Sequence, residues 1–103
     1  MGRYPIVLAG VLVATVASAD SYDVARQLGA FLGSEKICKL QINYAQVQRY
    51  IREKGAGEDL DFAGELRSQA ELVAYRYNEM TTAMQVAHCE QMTRAGKALE
   101  LTN

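Results

Sequence analysis

From Val24 onward, apolar positions recur at intervals of three and four residues, and no segment alternates strictly between apolar and polar residues. That period puts side chains on one face of a helix, so the body of the chain is expected to be all-α. Val24, Leu28, Phe31 and Leu32 form a first stripe, with Asp20 or Ser21 as N-cap and Gly33-Ser34 as the stop. Gly29 and Gly33, four residues apart, leave open a continuation toward Leu40 with the glycines against a neighbouring helix. Asn43 followed by Gln46 fits a capping-box variant. Tyr44, Val47 and Ile51 then line one face of a second helix, while Arg49, Arg52, Glu53 and Lys54 point outward. Gly55-Ala56-Gly57 ends it, and Asp61 is placed to cap a third.

From Phe62 to about Leu99 the helical pattern has no obvious stop, but its face changes. Leu66, Ala70, Val73, Tyr77, Met80, Met84 and Ala87 make one stripe; Val86, Cys89, Met92 and Leu99 make another. An unbroken helix of that length would extend roughly 57 Å, whereas a compact chain of this size is only about 30 Å across. Asn78, Thr81 and Thr82 are weak helix formers and good caps. The expected architecture is therefore a small bundle of three to four short helices with a kink or turn near residues 78–82.

The N-terminus has a different pattern. Arg3 precedes an uninterrupted run of apolar or small residues from Ile6 to Val16, and Ala17-Ser18-Ala19 supplies small residues before Asp20. This reads as an export signal over residues 1–19, with a single helical domain over residues 20–103. Retention of the segment as a membrane anchor is the alternative, but the stretch from Ile6 to Ala19 is 14 residues, and a bilayer core needs about 20. The formal net charge is −1. No basic run is present, so neither nucleic acid nor an anionic membrane surface is an expected partner.

Two cysteines, Cys38 and Cys89, in an exported chain lead to the expectation of one intramolecular disulfide. An intermolecular bridge and free thiols are the alternatives. The bridge bears on the fold. If the second and third helices form a hairpin about residues 57–58, position 38 lies level with position 77. Cys89 on a straight helix would then be roughly 18 Å away, well beyond the reach of a disulfide. Folding back near residues 78–82 brings it within reach. No C-x-x-C is present, which argues against a thiol oxidoreductase.

Met80, Met84, His88 and Met92 recur at every fourth residue. Thioether and imidazole are ligands for Cu(I), so Met84, His88 and Met92, with Met80 in reserve, form a candidate soft-metal site. Four residues at that spacing drift through about 120° around the helix, and methionine is a routine filler of cores. The competing expectation makes Met80 and Met84 plain core and His88 a partly exposed residue beside the disulfide. Catalysis has little to build on. There is one histidine, and no G-x-S-x-G, H-E-x-x-H or E-x-x-H is present.

The segments LGSEKICKLQINYAQVQRYIREK and TAMQVAHCEQMTRAGKAL, most specifically SEKICKL and AHCEQ, resemble a group of uncharacterised small exported bacterial helical proteins with one cysteine pair. The resemblance implies a disulfide-linked helical domain outside the cytoplasm and implies no activity. In size and architecture alone the chain is also similar to the small acid-stress chaperones of the periplasm. The functional expectation is a non-enzymatic periplasmic or secreted protein without a cofactor, binding a protein or envelope component. Homodimerisation stays open. Tyr22, Tyr44, Tyr50, Tyr75 and Tyr77 are candidate contact residues, and a Cu(I)-binding protein is the alternative.

Overall fold

The computed structural model describes residues 21–103. The expected signal segment, residues 1–19, lies outside them. Residues 21–33 are helical (α1), followed by α2 (Tyr44–Glu53), a 3₁₀ turn (Ala56–Glu58), α3 (Phe62–Tyr77) and α4 (Thr82–Ala98). Among the described residues there is no sheet, only an isolated antiparallel bridge between Ile42 and Thr102. Of the expected three to four short helices, four form among the described residues, and one disulfide closes the bundle.

The long apolar pattern breaks where its weak helix formers lie. Asn78 is the C-cap of α3, and the Thr81 side chain accepts the Met84 N–H at the start of α4. The Gln85 side-chain amide donates to the Tyr77 carbonyl at 3.0 Å, tying the end of α3 to the first turn of α4. The chain reverses here, and α4 runs back past α1. Gly96 faces Phe31, while His88 meets Ser34 beyond the end of α1.

α1 stops after Gly33, as the sequence indicates, and its glycines also face a neighbour. A Cβ on Gly29 would lie 2.6 Å from Gln69 Cβ, and one on Gly33 would lie 2.5 Å from the Ala70 carbonyl oxygen. α1 and α3 thus approach backbone to backbone, a distance only glycine permits. The core forms around this contact from Val24, Leu28 and Phe31 of α1, Val47 of α2, Phe62 of α3, and Leu101.

Of the two N-cap candidates for α1, Ser21 is already helical, with its hydroxyl donating to Asp59, and Asp20 lies outside the described residues. Three local expectations are corrected. Asn43 caps α2 by accepting the Gln46 N–H, but its own N–H goes to the Leu101 carbonyl, so the reciprocal half of the capping box is absent. Asp61 occupies the N-cap position of α3 without a side-chain cap bond; the Asp59 carboxylate takes the Asp61 N–H instead. Tyr44 is exposed and leans on Glu35, and Tyr50 joins Val47 and Ile51 on the core side.

Two chain reversals carry no glycine. After α4, Glu100 adopts φ 58°, with Leu101 N–H bonded to Gly96 O and Glu100 N–H to Lys97 O. After the turn that follows α1, Lys39 adopts φ 55°, with Leu40 N–H bonded to Glu35 O and Lys39 N–H to Lys36 O. Both are Schellman closures with a left-handed residue at the position glycine usually takes. In each the following leucine, Leu101 or Leu40, is buried, so packing offsets the backbone cost.

Candidate functional site

Cys38 and Cys89 are bonded, with sulfurs 2.06 Å apart and Cα atoms 5.2 Å apart. Cys38 lies in the turn after α1 and Cys89 in the middle of α4, so the bridge joins the first and last helical segments of the fold. One turn before Cys38, Ser34 is fully buried. Its hydroxyl lies 2.7 Å from the Ala30 carbonyl oxygen and 2.8 Å from His88 Nε2. A carbonyl only accepts, so the single hydroxyl proton is directed to Ala30 and His88 Nε2–H donates to Ser34. Both the Nε2–H tautomer and the imidazolium can make that bond. Tyr77 closes the corner, with its ring edge-on to His88 at 5.8 Å between centroids and its oxygen 3.9 Å from Cys89 Sγ.

This arrangement decides the fate of the Met/His stripe. Met92 packs against the core, Met80 is half-buried in the turn before α4, and His88 is held by Ser34. Met84 is 55% exposed, which corrects its expected place in the core; Val86 is exposed too. On the unbroken helix α4, Met84 and Met92 are about 12 Å apart along the axis. The structure does not gather Met84, His88 and Met92 around one point, and Cys89 is committed to its disulfide. Among the described residues, no group of three or more His, Cys, Asp or Glu side chains is placed to hold a metal ion. His88 sits partly exposed beside the disulfide, as expected.

A groove of about 500 Å³ runs between α1, α3 and α4. Its apolar floor includes Phe31, Val73 and Met92, and Arg26, Arg76 and Gln69 stand among the polar residues that line it. Of the candidate tyrosines, Tyr22, Tyr44 and Tyr75 are exposed. Tyr50 packs against the core, and Tyr77 belongs to the disulfide corner. The Tyr44 hydroxyl donates to the Glu35 carboxylate, which holds the phenol above its ordinary pKa. Among the described residues, no helix is long and apolar enough to cross a membrane.

The described residues form a small all-helical domain of four helices closed by one covalent cross-link. Compared with known proteins, the chain matches no family model, no curated protein and no solved structure.

Proposed function

We propose that this chain is an exported, non-enzymatic helical module that binds a protein or envelope component through the groove between α1, α3 and α4. The groove carries the reading: it joins an apolar floor to a rim bearing Arg26 and Arg76, the mixture expected of a specific contact surface. The cross-link between Cys38 and Cys89 supports export, because such bonds persist in oxidising compartments. A non-catalytic role is supported by the commitment of the Ser34–His88 pair. The serine hydroxyl is buried and spends its proton on Ala30, and His88 acts toward it as a donor rather than a base.

The test has two arms. The intact mass of the protein from its native host, before and after reduction and alkylation, should begin at Asp20 and accept alkylation only after reduction. A mass retaining residues 1–19, or free thiols, counts against export as proposed. Crosslinking in the intact envelope should then give discrete adducts that vanish in the Arg26→Glu/Arg76→Glu variant. Adducts unchanged in that variant would remove the groove from the proposal.

A further inference from the structure

The two half-cystines are joined by more than their own bond. Cys38 N–H donates to Ser34 O at 2.8 Å, Ser34 Oγ accepts from His88 Nε2 at 2.8 Å, and His88 is covalently linked to Cys89. The path runs through a hydroxyl with no solvent exposure. Neither link needs the sulfurs to be bonded.

We propose that the Ser34–His88 hydrogen bond is a positioning latch that sets the turn at residues 34–39 against α4 and so presents Cys38 to Cys89 for oxidation. The chemistry is ordinary thiol–disulfide exchange with a small disulfide such as oxidised glutathione. One cysteine thiolate attacks a glutathione sulfur, breaking that S–S bond and expelling a glutathione thiolate. The second cysteine thiolate then attacks the protein sulfur of the mixed disulfide, forming the Cys38–Cys89 bond and expelling the second glutathione. Two electrons pass to the oxidised glutathione, and the two protons lost by the cysteines appear on the two thiols formed. The second attack depends on how often the reduced cysteines meet, which is their effective concentration. Ser34 and His88 act on that quantity without touching the reacting atoms. By linkage, whatever the latch contributes to the bond the bond returns to the latch.

Neither Ser34 nor His88 lines the groove, so the test of the latch is separate from the test of the proposed partner.

The purified protein is equilibrated in graded ratios of reduced to oxidised glutathione, and the disulfide fraction is read by intact mass after alkylation. His88→Ala is expected to lower the effective thiol concentration by about tenfold, since it leaves the buried Ser34 oxygen without its donor. His88→Gln, which keeps an N–H donor, should restore most of the loss, and Ser34→Ala should lower it as His88→Ala does. Val47→Ala removes buried side-chain volume from α2, outside the corner, and should leave the value unchanged. An unchanged value in His88→Ala overturns the proposal. So does an equal fall in Val47→Ala, which would mean that general stability rather than the latch brings the thiols together.

Discussion

Replacing both cysteines by serine removes the covalent closure of a loop between residues 51 apart in the sequence. Treating the bond as a constraint on the unfolded chain, a loop of that length contributes about 4 kcal/mol at 25 °C. A described domain of 83 residues, 21–103, has a total stability on the order of 4–12 kcal/mol. The cross-link is therefore a third or more of it. Urea unfolding of the oxidised protein and of the Cys38→Ser/Cys89→Ser variant, followed by far-ultraviolet circular dichroism, should differ by about 4 kcal/mol. Tm should fall by about 16–32 °C. The open chain should also show a larger dependence on urea, because its unfolded state exposes more surface. Wild-type protein treated with a dithiol serves as the companion measurement, since it loses the bond but keeps the sulfurs. Its difference from the serine variant isolates the packing of the sulfur atoms in the corner. A stability difference below about 1 kcal/mol, with an unchanged urea dependence, would refute the loop-closure reasoning.

Other substitutions test particular contacts. Gly33→Ala pushes a methyl group into the Ala70 backbone and should destabilise by about 1–3 kcal/mol in the same urea assay. Glu100→Gly relieves a left-handed residue held at φ 58° and should raise stability by about 1 kcal/mol, measured as a higher Tm. Thr81→Ala removes the side-chain acceptor for Met84 N–H and should cost about 1 kcal/mol, with amide exchange accelerated in the first turn of α4. Tyr44 should ionise above the ordinary phenol value in an NMR titration, and Glu35→Gln should bring it back down. Because folding favours the protonated phenol, this contribution is whole below about pH 10 and is lost as pH rises through the raised value.

Helix content, a count of three to four helices and the place of the reversal could be read from residue order alone. The period of apolar residues marks the helices. Asn78 and Thr81 mark the break because their side chains and backbones favour ends over interiors. The cysteine pairing was legible for a related reason: it constrained where the long pattern had to fold. What residue order could not show was which positions of a stripe are covered. Met84 and Val86 fall on the predicted stripes but face solvent, because the neighbours that reach α4 meet it elsewhere: Ser34 at His88, Cys38 at Cys89 and Phe31 at Gly96. The Ser34–His88 contact spans 54 positions and has no local signature. Lys39 and Glu100 gave no warning of left-handed turns, since the signal for such turns is glycine and here the burial of Leu40 and Leu101 replaces it. Local propensity and period act within a turn or two of helix and so are written in the sequence. Coverage, and the polar pair it buries, depends on how closely elements distant in sequence approach, as Gly29 and Gly33 do against α3 and Gly96 does against Phe31.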